Sequence, residues 1–129
     1  MSFKARIKVA GKDLPILDAH YELSRNTDAT GRPSEDVRGG KITITVESTG
    51  ETPFFEWMCN SFERKDGSIV FSKRDTDATM KELTFTEAYM VDYAESFNSV
   101  NAKPVIEKFT ISAKTIKLGN GEHKNEWPL

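Results

Sequence analysis

The sequence predicts a mainly β fold with one short helix, and the periodicity of its apolar residues carries this prediction. Apolar and charged side chains alternate with a period of two along most of the chain, as is typical of half-buried strands. In Phe3 to Val9, for example, apolar side chains alternate with Lys4, Arg6 and Lys8. Many such segments separated by polar turns indicate a closed antiparallel barrel or a two-sheet sandwich.

Seven segments carry this pattern and are expected to be strands. They are residues 2–9, 16–24, 41–46, 69–74, 80–85, 88–97 and 104–118. The last covers fifteen residues, which at about 3.3 Å each span on the order of 50 Å, enough to cross a small domain and bend. Glu107 is the exception on its otherwise apolar face. After this last segment, residues 119–129 form a polar tail that ends in Trp127, Pro128 and Leu129.

One segment, residues 52–62, breaks the alternation and predicts the helix. Thr52 is a candidate N-cap, and Pro53 suits the first helical position. The apolar side chains that then recur at helical spacing are Phe54, Trp57, Met58 and Phe62. We expect this stripe to pack in the core rather than to hold a cofactor.

Length and charge limit the functions available to the chain. Its 129 residues suit a single domain, 1–129, large enough to fold without disulfides or metals. A net charge of −2 argues against nucleic-acid binding. The chain has no apolar run long enough for a signal peptide or a membrane span, so no membrane insertion is expected. The lone Cys59 fits folding in a reducing cytoplasm.

A long polar segment, about residues 25–40, resembles several ligand loops but completes none of them. A calcium loop that starts at Asn26 needs a Glu where Val37 stands. A phosphate loop needs a Gly in place of Glu35 and a Ser or Thr in place of Ile42. The Arg38-Gly39-Gly40 triplet is weak support for RNA binding in an acidic chain, and backbone geometry explains the two glycines more simply.

No catalytic, cofactor or metal site is predicted elsewhere. His20, His123 and Cys59 do not make a zinc set. A hydrolase built around His20 has no sequence signature to support it. A small barrel that binds a sugar or lipid through the aromatic segment 89–97 and Trp57 stays open as an alternative.

The length of the polar segment is itself informative. Loops of about fifteen residues are uncommon in compact domains and tend to be functional or disordered. Its cations, Arg25, Arg32 and Arg38, balance its anions, Asp28, Glu35 and Asp36. Mixed charge without ligand geometry favours contact with another protein surface.

Five segments of the chain resemble Hcp-type tube proteins of type VI secretion systems, in the Bacteroidetes branch called TssD. They are MSFKA, NTDATGRPSEDVRGGKITITVEST, FFEWM, GSIVFSKRDTDATMKELTFTEAY and KTIKLGNGEH. The resemblance implies a β-barrel of two antiparallel sheets with one short flanking helix at about 52–62. It also implies a structural, non-enzymatic subunit that needs no cofactor and self-assembles into hexameric rings.

In the family, the rings stack into a hollow tube, which a contractile sheath expels together with a spike protein. Effectors can travel in the lumen. Assembly takes place in the cytoplasm, and the machine exports the tube without a signal peptide. The resemblance places the intersubunit or inter-ring loop at about residues 25–40. We therefore expect contacts with a second copy from Arg32, Glu35, Asp36, Arg38 and the pair Gly39 and Gly40.

Overall fold

A computed structural model describes residues 3–60, 62–76, 78–100 and 102–125. Within these residues seven strands and one helix follow one another along the chain. They are β1 (Phe3–Val9), β2 (Lys12–Tyr21), β3 (Lys41–Glu47), α1 (Pro53–Cys59), β4 (Arg64–Lys73), β5 (Thr79–Phe97), β6 (Val105–Leu118) and β7 (Gly121–Lys124).

Six of these strands close into an antiparallel barrel. Neighbours follow the order β3-β2-β1-β4-β5-β6, and β3 also pairs with β6. β6 pairs with β3 over residues 106–112 and with β7 over residues 115–118, so β7 takes the place of β3 further along β6. The predicted barrel is confirmed. Its hydrogen bonding is continuous, and the two predicted sheets are opposite sides of one closed sheet.

The barrel has two different ends because its strands alternate in direction. The β2–β3 connection and the β6–β7 turn lie at one end, which we call the arm end. Helix α1 and the β5–β6 turn lie at the other, the helix end.

The core fills the barrel interior and continues beneath the helix. The largest fully buried side chains are Trp57, Phe54, Phe85, Phe109, Ile7, Ile42, Ile44, Ile69, Leu83, Ile111 and Val46. Phe54 stacks on the inward-facing Phe109 with ring centroids 4.3 Å apart. Trp57 Nε1 donates to the carbonyl oxygen of Glu63 at 2.9 Å. Helix α1 therefore closes the helix end of the barrel with two aromatic side chains.

The helix is shorter than its sequence pattern suggests. It ends at Cys59, with Asn60 as its C-cap, one turn before Phe62. The prediction that Met58 and Phe62 pack in the core was wrong, because they are 39% and 84% exposed. Only the helix positions of Phe54 and Trp57 reach the barrel interior in so short an element.

Two predicted strands, 80–85 and 88–97, are one continuous strand, β5. The polar residue Glu87 lies between them with a φ of 50°. Its backbone N–H donates to Asp66 Oδ1 at 2.7 Å, and its carboxylate accepts from Arg64 Nη1 at 2.9 Å. These contacts with β4 stabilise a bulge, so the strand continues where the polar residues predicted a turn.

Glu107, the exception in the sequence pattern, points inward and is only 3% exposed. The hydroxyl of Tyr93 donates to Glu107 Oε1 at 2.5 Å, so the buried carboxylate has a partner. Burial, together with this carboxylate, raises the pKa of the Tyr93 hydroxyl. The inward Glu is a paired polar group on β6 rather than a break in the strand.

The glycine pair before β3 serves backbone geometry, as predicted. Gly40 has a φ of +100°, and a Cβ there would lie 2.5 Å from Asn125 Nδ2 and 2.7 Å from the carbonyl oxygen of Ala113. Asn125 Nδ2 donates to the carbonyl oxygens of Gly39 at 3.0 Å and Ala113 at 3.1 Å. The side chain of Asn125, one residue beyond β7, thus ties the start of β3 to β6.

Replacing Phe54 by Ala should lower the free energy of unfolding by about 3–5 kcal/mol, because it leaves a cavity against Phe109. The neighbouring Phe55 is half exposed and makes a T-shaped contact with Tyr93. Phe55→Ala removes the same atoms and should cost about 1 kcal/mol or less. Urea unfolding followed by tryptophan fluorescence measures both. Equal losses would contradict the closing role of Phe54.

Replacing Gly40 by Ala should destabilise the protein by more than about 1 kcal/mol, because it combines a disfavoured backbone angle with a backbone clash. At Gly50, by contrast, an added Cβ would meet no atom within 4 Å, and the backbone φ is not positive. Gly50→Ala should therefore change the unfolding free energy by no more than about 0.5 kcal/mol. Unfolding curves in urea compare the two variants. If Gly40→Ala left the free energy of unfolding unchanged, the Asn125 side chain would move aside with no loss of stability.

Candidate assembly surfaces

The long polar segment is an arm, residues 22–40, that extends the β2–β3 hairpin away from the barrel. Each residue from Glu22 to Ser34 is exposed. Eight residues on its outgoing side, Glu22 to Ala29, at about 3.3 Å each, give a reach of up to roughly 25 Å. Exposed loops on a rigid scaffold often carry binding residues, so the arm is a candidate contact surface.

The arm is held in shape by its own hydrogen bonds. Ser24 and Arg38 exchange backbone bonds of 2.9 and 2.6 Å, and Ser34 N–H donates to the carbonyl oxygen of Asn26 at 2.9 Å. Thr27 and Pro33 face each other as an isolated bridge. The predicted long loop is thus present, and it is an irregular hairpin rather than a structureless connection.

Asp28 shapes the turn at the arm's tip. Its Oδ1 accepts from the backbone N–H of Thr30 at 2.9 Å, the hydroxyl of Thr30 at 2.7 Å and the N–H of Arg32 at 3.1 Å. These donors, led by the Thr30 hydroxyl, hold the pKa of the Asp28 carboxyl below its ordinary value. The Asn and Asp spacing that suggested a calcium loop is the pattern of an Asx turn.

Two of the predicted contact residues bond to each other. Arg38 Nη2 lies 2.6 Å from Glu35 Oε1 and 2.7 Å from Oε2. Glu35 Oε1 also accepts the backbone N–H of Asn26 at 3.1 Å, across the arm. The hydrogen bond from Arg38 is the main cause of a lowered pKa for the Glu35 carboxyl. Glu35 therefore joins the two sides of the arm.

The other two charged candidates are available for a partner. The side chains of Arg32 and Asp36 are exposed and make no ion pair with another described residue. Gly39 and Gly40 lie at the base of the arm, against Leu23 and Asn125. The structure thus brings Glu35 and Arg38 together, leaves Arg32 and Asp36 apart on the surface, and gives the glycines an internal role.

In the described part of the chain, several strand segments have a pairing strand on one side only, and two of them lie on β2 and β5. β1 pairs with β2 over Lys12–Pro15, so Ile16–Tyr21 pairs with β3 alone. β4 pairs with β5 as far as Tyr89, so Met90–Phe97 pairs with β6 alone. Edge strands offer backbone donors and acceptors to a second chain. These overhangs flank a four-stranded patch formed by β2, β3, β6 and β5.

The outward face of this patch is polar and rich in hydroxyls. The outward side chains of its two middle strands are Lys41, Thr43, Thr45, Glu47, Ile106, Lys108, Thr110 and Ser112. The Thr43 and Thr110 hydroxyl oxygens lie 3.0 Å apart. Asp18 and Asp92, on the flanking strands, balance the two lysines. The face carries mixed charge and no apolar cluster.

The arrangement of the histidines and of Trp57 offers no catalytic or ligand-binding geometry. His20 lies 3.7 Å from Glu22 on the exposed surface, and His123 contacts the amide oxygen of Asn125 at 3.0 Å. Across the described ranges, no three His, Cys, Asp or Glu side chains gather as a metal site requires. Trp57, the candidate for a sugar or lipid cleft, is buried in the core.

The sequence patterns missed two of these features. The strand edges were hidden because alternation shows where a strand lies and not what pairs with it. The role of Asn125 depends on β7, which lies in the predicted polar tail. Helix α1, the one helix in the described part of the chain, has seven residues and is far too short to span a bilayer.

Comparison with known proteins gives consistent results. A family model for hemolysin coregulated protein Hcp (TssD) matches residues 1–128. The structure of Hcp1 from Flavobacterium johnsoniae is 56% identical, covers 95% of this chain and 99% of that chain, and superposes with a TM-score of 0.91. No curated protein matches the chain.

More distant structures share the fold. Hcp1 from Salmonella typhimurium is 14% identical over 95% of this chain and 92% of its own, with a TM-score of 0.76. A chain of the PVC sheath-tube complex, an extracellular contractile injection system, is 18% identical over 90% of this chain and 88% of its own, with a TM-score of 0.59. Together with the match over residues 1–128 and the 56% identity to a solved Hcp1, these findings show that the chain belongs to the Hcp (TssD) family.

Proposed function

We propose that residues 1–129 form one structural subunit of a type VI secretion tube, assembled as hexameric rings that stack. The observation that carries this proposal is the arm, ordered by its own hydrogen bonds and exposed from Glu22 to Ser34. The family membership supplies the context. Such a subunit is a structural part and not an enzyme.

The two strand edges suit closure of the ring. The edge of β2 and the edge of β5 lie on opposite sides of the four-stranded patch. A contact between the β2 edge of one copy and the β5 edge of the next uses two different surfaces, and such a heterologous contact closes into a ring when the rotation permits. Backbone pairing between copies would then continue the sheet around the ring.

In this arrangement the hydroxyl-rich face lines the lumen. Its threonines, lysines and aspartates keep water at the wall and offer cargo no apolar patch to bind irreversibly. Effectors carried there would meet exposed charges of both signs, and each ion pair with them would be weak. The outer side of the barrel faces the sheath, in line with the sheath-tube complex to which the fold is similar. The spike would cap the tube, and the subunit would assemble in the cytoplasm before expulsion.

Electron microscopy of the purified protein, with native mass spectrometry, tests the proposal. We expect six-fold rings with a central opening and a mass of six chains, followed by stacked tubes at high concentration. A stable monomer at every concentration would overturn the proposed function. That result would favour the alternative function, a small barrel that binds a ligand.

Reversal of charge at the exposed arm positions should weaken assembly. Arg32→Glu combined with Asp36→Lys keeps the net charge and leaves the Glu35–Arg38 pair intact, so we expect a folded subunit with fewer rings or tubes. Lys8→Glu combined with Glu82→Lys, at exposed positions on the barrel wall, is the matched control. Sedimentation velocity and circular dichroism measure assembly and fold. Wild-type assembly of the arm variant would show that Arg32 and Asp36 make no essential contact.

A further inference from the structure

The two ends of the barrel differ in how their apolar interior is covered. At the helix end, Phe54 and Trp57 close the interior. At the arm end, the described part of the chain leaves an open mouth of about 470 Å³. Its apolar lining consists of Tyr21, Leu23, Leu83, Ile116 and Leu118.

The mouth is suited to bind an apolar side chain. Leu23 is more than half exposed at its edge. Desolvation at this site raises the pKa of the Tyr21 hydroxyl. Glu22 and Glu122 stand at the rim, so the apolar mouth is bordered by two acidic side chains.

The helix end carries a matching projection, which we call the apolar tip and define as Phe97 and Val100. They are 71% and 87% exposed. Beside them, Asn98 N–H donates to the carbonyl oxygen of Pro104 at 2.7 Å, and Val100 N–H donates to Asn98 Oδ1 at 3.1 Å. Both apolar side chains are therefore accessible to a second molecule.

We propose that the mouth of one subunit receives the apolar tip of the next subunit along the tube axis, an inference that rests on the proposed tube. The tip cannot fill its own mouth, because fourteen residues of β5 separate Leu83 from Phe97, on the order of 45 Å along the strand. Lys103, three positions after Val100, lies 3.9 Å from Glu47 Oε1 in its own chain, so the proposed contact depends on the apolar side chains.

The direction of β7 favours a second copy over the chain's own tail. β7 starts at the mouth, where Gly121 pairs with Leu118, and runs towards the helix end, where Asn125 N–H donates to the carbonyl oxygen of Lys114 at 2.7 Å. β7 and Asn125 therefore extend away from the mouth. Residues 126–129 lie outside the described residues.

Disulfide trapping tests this contact in the full chain. In a Cys59→Ser background, Leu23→Cys with Val100→Cys should give a non-reducing ladder of dimers, trimers and higher species under conditions in which the parent forms tubes. Each single variant should give no ladder. Thr84→Cys with Val100→Cys is the matched control, because Thr84 is exposed on the wall of the barrel, and it should give none.

The outcomes separate the inference from the proposed function. Tubes without a ladder in the Leu23/Val100 variant would overturn the mouth-and-tip contact and leave the tube intact. Absence of rings in the parent chain would overturn the tube itself. A fast-migrating intrachain product from Leu23→Cys with Leu129→Cys would assign the mouth to the tail and also overturn the inference. A second variant, Val100→Asp, should keep hexamers and lose tubes, and loss of the hexamers would place the tip in the ring contact instead.

Discussion

The pairing between β5 and β6 is the constraint on which the rest of the structure depends. The two strands pair from Leu83 with Leu118 to Phe97 with Val105, and no other strand pair in the described part of the chain runs as far. Three other strands pair with only part of this ribbon: β4 with the first half of β5, β3 with the first half of β6, and β7 with the end of β6. β2 and β1 connect β3 to β4, and this closes the barrel. Where the partner strands stop, the ribbon overhangs, and both the β5 edge and the apolar tip are consequences of that overhang.

Pre-organisation is the second physical theme. A flexible fifteen-residue loop would lose conformational entropy when it bound a neighbour, and that loss would weaken the contact. Here Asp28, Glu35 and the Ser24–Arg38 backbone pair fix the arm before any partner arrives. The Glu35–Arg38 pair is exposed, so it adds little stability by itself. The pair instead fixes the conformation of the arm. Glu35 and Arg38, both expected to contact a neighbour, therefore contact each other.

Much of the fold was predictable from local sequence, because strand alternation and helix spacing are local properties. The positions of β1, β3 and β6 and the start of α1 followed from such patterns. The break expected near Glu87 did not occur, because a carboxylate on a neighbouring strand, that of Asp66, satisfies its backbone there. Asn125 could not be assigned a role either, since its partners Gly39 and Ala113 are distant in sequence. For the arm, length and charge indicated a contact surface, but which charges pair within the arm depends on three-dimensional register.

The two contacts proposed between copies of this subunit differ in symmetry. The β2 and β5 edges lie on opposite flanks, so a contact between them turns about an axis and can close after a fixed number of copies. The mouth and the tip lie at opposite ends, so a contact between them advances along that axis and never closes. A ring is then finite while a stack of rings is not. If the proposed mouth-and-tip contact forms, each added ring covers one set of apolar mouths and presents another, so a stack can keep growing in that direction.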